Sequence, residues 1–150
     1  MPSELACDFY SVFSRIEYAL KSTEFAIGNN KRVEPAWDKF ANEIDEKLFQ
    51  SKDKKLLKAI EYILQNPPRK QVLENGRIAF INQTIDDSQK RTQQLLLMIR
   101  TIRNNLFHGG KYLPGGEVEA GRNELLVKYS MNILLRCIQI NKNVYASYQH

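Results

Sequence analysis

The sequence RTQQLLLMIRTIRNNLFHGG, residues 91–110, decides the fold class of this chain. At about 100° per residue its apolar side chains gather on one side of an α-helix and predict a core-facing stripe. That stripe consists of Leu95, Ile99, Ile102 and Leu106. We expect the helix to begin near Asp86-Asp87-Ser88, which offers caps and negative charge, and to continue to His108, where Gly109-Gly110 ends it.

Similar stripes, with apolar residues three and four apart, predict four more helices. The first carries Phe9 to Leu20 and ends near Gly28-Asn29-Asn30, and the second has Pro35 in its first turn and buries Trp37 to Leu48. Ser51 is expected to cap the third, which Asn66-Pro67-Pro68 stops. The last begins near Glu117–Glu119 and runs almost to the end of the chain.

A β-hairpin is predicted over residues 71–80, because Asn75-Gly76 suits a type I′ turn and sets Glu74 opposite Arg77. The expected fold is therefore all-α, a helical bundle of about five helices with one small hairpin insertion. No linker or repeat interrupts residues 1–150, so we expect a single domain.

Composition excludes several classes of protein. With 43% hydrophobic and 26% charged residues, the chain has the balance of a globular protein rather than a disordered one. Its longest apolar run, Leu95–Ile99, is too short to span a membrane, and the first residues lack the pattern of a signal peptide, so we expect a cytoplasmic protein. Cys7 and Cys137 are expected to be buried thiols.

Nucleotide and metal motifs are missing from the sequence. The segment Gly109-Gly110-Lys111-Tyr112 lacks the spacing and the hydroxyl of a phosphate-binding P-loop. The two histidines, His108 and His150, and the two cysteines do not form a zinc-binding pattern. We therefore expect neither a metal nor a cofactor.

Positive charge is concentrated around the fourth predicted helix. The chain has 22 Lys and Arg against 17 Asp and Glu, a net charge of +5, and no acidic residue lies between Ser88 and Gly116. That acid-free segment holds Lys90, Arg91, Arg100, Arg103, His108 and Lys111. A cationic segment of this kind suits a polyanionic partner such as RNA, with Arg100 and Lys111 as candidate contacts.

The fourth helix is also expected to have a second apolar side. Asn104 and His108, four residues apart, lie roughly opposite the core-facing stripe, with Leu97, Met98 and Thr101 beside them. Because a small soluble domain rarely exposes such a strip, we expect Leu97, Met98 and Thr101 to form the interface of a homodimer.

The segment Arg103-Asn104-Asn105-Leu106-Phe107-His108 resembles the signature of the HEPN superfamily, an arginine and a polar residue followed at this spacing by a histidine. The resemblance is to small stand-alone prokaryotic members. It implies an endoribonuclease that needs no metal and acts as a dimer, with Arg103, Asn104 and His108 as catalytic residues, in a toxin–antitoxin or antiviral defence setting.

The chemistry of these residue types is compatible with that activity. RNA cleavage without a metal uses the 2′-hydroxyl as nucleophile and needs a base, an acid and a cation for the phosphorane. Two copies of His108 in a dimer would supply base and acid, and Arg103 would bind phosphate oxygens through its planar donors. Asn104 would orient His108 or the scissile phosphate.

Four other side chains bear on this site. Glu17 and Glu24 lie near the apolar stripe of the first helix and either pair with Arg100 or Arg103 or extend to water. Tyr112 is similar to a tyrosine that a partner nucleotidyltransferase modifies in some HEPN toxins, although its spacing from His108 is longer here, and such an enzyme would be the neutralising antitoxin. Tyr112 and Phe107 either stack on an unpaired RNA base or pack within the protein.

A different interpretation stays open. Arg100, Arg103 and His108 complement the dipole at a helix C-terminus, and Gly109-Gly110 is an ordinary helix stop, so capping explains each residue singly. The chain would then be a non-catalytic helical module that binds RNA, a nucleotide or a partner protein.

Overall fold

Six helices and two antiparallel strand pairs make up the part of the chain that the computed structural model describes, residues 2–107 and 121–150. In chain order they are α1 (Ser3–Lys21), β1 (Ala26–Asn29), β2 (Arg32–Pro35), α2 (Trp37–Phe49), α3 (Lys54–Gln65), β3 (Arg69–Glu74), β4 (Arg77–Asn82), α4 (Arg91–Phe107), α5 (Arg122–Ile140) and α6 (Lys142–Gln149). The prediction of a mostly helical fold is confirmed, and the strand pairs add a second hairpin to the one expected.

The helices pack around one apolar core. Helix α2 lies against α4, α3 lies against α5, and α1 packs on α5 and α6. The predicted stripe of α4 faces this core, because Leu95, Ile99, Ile102 and Leu106 are all buried. Phe9, Phe13 and Ile16 enter the same core from α1. Burial of these side chains is the main stabilising term, and it fixes α4 relative to α1 and α2.

The first hairpin, β1–β2, replaces the expected extension of α1. Helix α1 ends at Lys21 rather than near Gly28, and β1 pairs with β2 so that Gly28 lies opposite Val33. Gly28 has φ +152°, and a Cβ there would overlap the carbonyl oxygen of Arg32, so glycine is required. This hairpin was not predicted from the sequence. Its strands are only four residues long and mostly exposed, so they lack the alternation of apolar and polar residues that indicates a strand.

The second hairpin, β3–β4, is the one predicted from the sequence, with its turn at Asn75-Gly76. Asn75 and Gly76 form the turn with φ 51° and 75°, and Glu74 pairs with Arg77. Positive φ at both central positions is the geometry that Asn-Gly favours. The strands extend beyond the predicted residues 71–80, to Arg69 and Asn82.

Two predicted helix starts were wrong by a few residues. Pro35 is the last residue of β2, and α2 begins at Trp37. Helix α3 is capped by Asp53 rather than Ser51, because the Asp53 carboxylate accepts hydrogen bonds from the backbone N–H groups of Lys55 and Leu56. Ser51 instead accepts a hydrogen bond from the backbone N–H of Asp53 and so supports the cap.

The cap of α3 leads to a prediction about stability. Asp53→Ala leaves the first N–H groups of α3 without their acceptor and should lower the free energy of unfolding by about 1 kcal/mol in urea denaturation. Asp53→Asn is the matched control, since it keeps the cap and removes only the charge that lies 3.9 Å from the Nε of Arg136. An Asp53→Asn variant as unstable as Asp53→Ala would show that the ion pair, not the cap, is responsible.

Helix boundaries near the candidate site also differ from expectation. Helix α4 begins at Arg91, after Asp86 and Ser88, and its amino end is held by Asp45, whose carboxylate accepts a hydrogen bond of 3.0 Å from the backbone N–H of Thr92. The expected last helix is two helices, because Asn141 ends α5 and caps α6 with its side chain.

The two cysteines have different environments. Cys137 is buried as expected, and burial raises the pKa of its thiol to about 12. Cys7 is exposed on α1, so the expectation that both thiols are buried was wrong for Cys7. Over residues 2–107 and 121–150, no helix has the length and hydropathy of a membrane span.

Candidate functional site

Arg103 lies where the carboxyl end of α4 meets α1. Its guanidinium makes an ion pair of 3.8 Å between Nη2 and Oε1 of Glu17, and Nη1 donates a hydrogen bond of 2.7 Å to Oδ1 of Asn104. About one third of the side chain is exposed. Arg103 therefore lies between the buried and the solvent-facing sides of α4, as its position relative to the core-facing stripe predicts.

Glu17 joins three helices at this point. Besides the ion pair with Arg103, its Oε2 accepts a hydrogen bond of 3.3 Å from the indole Nε1 of Trp37, the first residue of α2. The expected pairing of Glu17 with Arg103 is thus present in the structure. Because Glu17 is held by Trp37 on one oxygen, it fixes the direction in which the guanidinium points.

Two aromatic rings also lie against the guanidinium of Arg103. The Cζ of Arg103 lies 5.3 Å from the ring centroid of Phe13 and 5.6 Å from that of Phe107. Phe107 also contacts Tyr10 edge-to-face, with centroids 6.0 Å apart. Cation–π contacts of this length stabilise an arginine while leaving its N–H edge available to other groups. The sequence alone does not indicate Phe13 and Tyr10 as site residues, since only the packing of α1 beside α4 brings them here.

The two asparagines of the six-residue motif have different roles. Asn104 is exposed and accepts the hydrogen bond from Arg103. Asn105 turns the other way, and its Nδ2 donates a hydrogen bond of 2.7 Å to the carbonyl oxygen of Arg69, the first residue of β3. Asn105 therefore ties hairpin β3–β4 to the end of α4, and of the two only Asn104 is placed to contact a ligand beside Arg103.

Arg100 is a second basic residue of α4 near this site. Its Nη1 lies 3.7 Å from Oδ1 of Asp38 on α2, so Arg100 faces the same helix junction one turn before Arg103. Three predicted site residues, His108, Lys111 and Tyr112, lie outside the described residues.

The predicted dimer surface is only partly exposed. Leu97 is 39% exposed, but Met98 is only 4% exposed, and Thr101 is buried and donates its hydroxyl to the carbonyl oxygen of Leu97. Met98 and Thr101 were therefore wrongly assigned to an exposed strip. By helical angle Met98 lies about 70° and Thr101 about 130° from the middle of the core-facing stripe, so the burial of both shows that neighbouring elements, α2 among them, cover more of α4 than the stripe itself.

A shallow groove of about 190 Å³ lies along the amino-terminal half of α4. Leu97, Met98, Pro67 and Ile85 supply its apolar wall. The side-chain amide of Gln94 closes one end by donating hydrogen bonds to the carbonyl oxygens of Asp86 and Gln89. Leu97 and Ile85 are the exposed apolar residues of this groove.

Glu24 does not take part in the candidate site. Of the two alternatives, pairing with Arg100 or Arg103 is not what the structure has: Glu24 is exposed, and its carboxylate accepts hydrogen bonds from the side chains of Asn141 and Asn143. The pKa of Glu24 is lowered, mainly because its own backbone N–H donates to the carboxylate, with Asn143, Asn141 and the charge of Lys39 adding to the effect. Glu24 links the end of α1 to the start of α6.

The arrangement around Arg103 is suited to binding an anion. A guanidinium has five N–H donors, and the hydrogen bond to Asn104 uses one of them. Nη2 faces Glu17, and the side chain as a whole is partly exposed, so a phosphate has access to part of the guanidinium while Glu17 and the two rings hold the group in place. Within the described part of the chain, no group of three His, Cys, Asp or Glu residues could hold a metal ion.

Comparison with protein-family models, curated proteins and solved structures finds no match to this chain.

Proposed function

We propose that this protein is an endoribonuclease that cleaves RNA without a metal, by attack of the 2′-hydroxyl on the neighbouring phosphate. The observation that carries the proposal is the restrained, partly exposed guanidinium of Arg103, five residues before His108 and held by Glu17 and Asn104. A fixed planar cation is what a pentacoordinate phosphorane needs as its charge develops.

Three residues of the motif have roles in this proposal. Arg103 stabilises the negative charge on the phosphorane. Asn104 orients His108 or the scissile phosphate, and the hydrogen bond it accepts also positions Arg103. His108 transfers protons to and from the 2′-hydroxyl and the leaving 5′-oxygen. Because one histidine serves poorly as both base and acid in one step, the proposal includes a homodimer in which two copies of His108 face one cleft.

Support for that homodimer comes from Leu97 and Ile85, the exposed apolar residues of the groove beside α4. With Met98 and Thr101 buried, the dimer surface is smaller than the sequence suggested. Arg100, Lys111 and Tyr112 are proposed to contact RNA outside the reacting phosphate. The proposed setting is toxin–antitoxin or antiviral defence, with a nucleotidyltransferase as a possible class of neutralising partner.

A non-catalytic module is the second candidate, and one observation favours it. The ion pair between Arg103 and Glu17, with the Trp37 hydrogen bond behind it, joins three helices and gives Arg103 a structural role. In that case the same surface would bind RNA, a nucleotide or a partner protein without chemistry.

Incubation of the purified protein with end-labelled RNA in excess chelator separates the two candidates. The proposal predicts cleavage that chelator does not inhibit. RNA that is bound but left intact under all conditions, with or without divalent metal, would support the non-catalytic module instead.

A further inference from the structure

The first turn of α3 carries positive charge at the end of a helix that favours negative charge. Lys54 and Lys55 are the first two residues of α3, and this turn contains no acidic residue. Because the amino end of a helix is the positive pole of its dipole, lysines at these positions lower the stability of α3. A local arrangement that is unfavourable for its own helix points to a role outside that helix.

Two more lysines surround the start of α3, and the four together form the lysine surface: Lys52, Lys54, Lys55 and Lys58. All four side chains are exposed. On α3, Lys58 follows Lys54 by four residues and Lys55 by three, and like charges at these spacings repel each other. Among the residues that the structure describes, none of the four makes an ion pair, whereas Lys128 on α5 is paired with Glu124 at 3.0 Å.

The one acidic residue at this helix end does not balance the lysines. Residues 52–58 hold four lysines and one aspartate, so they contribute +3 to the net charge of +5 of the chain. Asp53 accepts hydrogen bonds from the backbone N–H groups of Lys55 and Leu56. Its carboxylate also lies 3.9 Å from the Nε of Arg136 on α5, which brings a fifth cation to the start of α3. Because Asp53 already serves these backbone donors, an anion that approaches this end of α3 meets the lysine side chains.

We propose that the lysine surface, with Arg136 beside it, binds the phosphate backbone of RNA at a place separate from Arg103. The choice of RNA as the polyanion rests on the proposed function, to which this surface adds a second contact with the substrate. A lysine ammonium contacts a phosphate as a point charge and reads no base, so binding here does not depend on RNA sequence. Selection of the cleaved phosphate remains with the residues around Arg103.

The lysine surface lies at the opposite end of α2 from the candidate site. Trp37 begins α2 and donates its indole hydrogen bond to Glu17 beside Arg103. Phe49 ends α2 and comes three residues before Lys52. At the helical rise, the two ends of α2 are about 18 Å apart. Because phosphates of a nucleic-acid strand follow one another at roughly 3.4 Å, a strand that reaches both places carries about five phosphates or more.

The other sides of α3 favour a nucleic acid over a membrane as the ligand. Leu56, Ile60 and Ile63 are buried in the core, so α3 has no free apolar face. Leu57 is 38% exposed, but it lies on the flank, about 110° by helical angle from the middle of the three lysines of α3. A helix that lies in a membrane interface inserts an apolar face beside its basic one. Positive charge without such a face suits a phosphate backbone in water.

Fluorescence anisotropy with a labelled single-stranded RNA of about 20 nucleotides tests the lysine surface. Affinity would be measured from about 50 to 200 mM salt, with His108→Ala in every protein so that the RNA is not cut. Lys54→Gln, Lys55→Gln and Lys58→Gln together, the α3 variant, should weaken binding about ten-fold or more at the lowest salt, because three phosphate contacts are lost. The slope of log affinity against log salt concentration should fall in magnitude by about 2.

A matched control removes three charges from exposed lysines elsewhere: Lys31→Gln, Lys70→Gln and Lys142→Gln. It should keep the affinity and the salt slope of the parent protein. Unfolding in urea gives a second readout. The α3 variant should have a midpoint at or above that of the parent, since glutamine keeps the helix propensity and removes the repulsion between lysines. A lower midpoint would show that the lysines stabilise α3 and would overturn the argument from uncompensated charge.

The inference is overturned if the α3 variant binds RNA as tightly as the parent with an unchanged salt slope. It is also overturned if the control variant loses as much affinity as the α3 variant, because net charge alone would then explain the loss. Binding of phosphatidylserine vesicles that the α3 variant loses, with no binding of RNA by any form, would assign the lysine surface to a membrane instead.

Failure of this inference is distinguishable from failure of the proposed function. If the wild-type protein cleaves RNA through His108 while the α3 variant keeps its RNA affinity, only the lysine surface is wrong. If RNA binding depends on these lysines but no cleavage occurs, the lysine surface stands on a non-catalytic RNA-binding protein.

Discussion

His108→Ala should lower the rate of RNA cleavage by at least about 100-fold, a loss of about 2.7 kcal/mol of transition-state stabilisation. The imidazole is proposed to move the protons of the reaction, and alanine can neither accept nor donate them. Single-turnover cleavage at saturating enzyme measures this step, and binding of intact RNA should largely persist in the same variant.

The chain supplies a matched control, because His150 is its other histidine. His150→Ala should cleave at the wild-type rate. Arg103→Ala should lose about as much activity as His108→Ala, whereas Arg100→Ala should raise KM more than it lowers kcat, since Arg100 is proposed to bind RNA outside the reacting phosphate. A folded His108→Ala protein that cleaves as fast as the wild type would contradict the assignment of His108.

Leu97→Glu should convert the protein to a monomer and abolish cleavage at the same time. A carboxylate on the exposed part of α4 would be buried without a partner in the proposed dimer, at a cost of several kcal/mol. Light scattering at micromolar concentration measures the mass, and the cleavage assay measures the activity of the same sample. Both losses should appear together, because the proposed site needs two copies of His108.

Leu57→Glu provides the comparison, because Leu57 on α3 is 38% exposed, close to the 39% of Leu97, and lies outside the groove. That variant should remain dimeric and active. Wild-type protein with a monomer mass, or monomeric Leu97→Glu that still cleaves RNA at the wild-type rate, would show that the proposed composite site is wrong.

Helix α4 shows how far periodicity alone predicts this structure. Its core-facing residues Leu95 and Ile99 are correctly predicted because spacing fixes their common side. Met98 lies about 70° from the middle of that stripe by the same geometry, and only the width of the surrounding core decides whether it is buried. A single helix carries no information about how broadly its neighbours cover it.

In the candidate site, too, some features are predictable from the sequence and others depend on how the helices pack. Arg103 and Asn104 are found from a six-residue motif, and the nearness of Glu17 follows from its place beside an apolar stripe. From the sequence, Phe13 and Trp37 can be predicted only as core residues. The contact of Phe13 with Arg103 and that of Trp37 with Glu17 depend on how α1, α2 and α4 pack together. The local chemistry is therefore predictable from sequence, and the surroundings that orient it are not.

The role of the 2′-hydroxyl is tested most directly with two RNA oligonucleotides that differ in one oxygen. One is all-ribose, and the other has a 2′-deoxynucleotide on the 5′ side of the mapped cleavage position. In excess chelator, attack by the 2′-hydroxyl predicts that the first is cut to a product ending in a 2′,3′-cyclic phosphate and that the second stays intact at that position. Equal cleavage of both, or cleavage only when a divalent metal is added, would contradict attack by the 2′-hydroxyl and with it the proposed roles of Arg103 and His108.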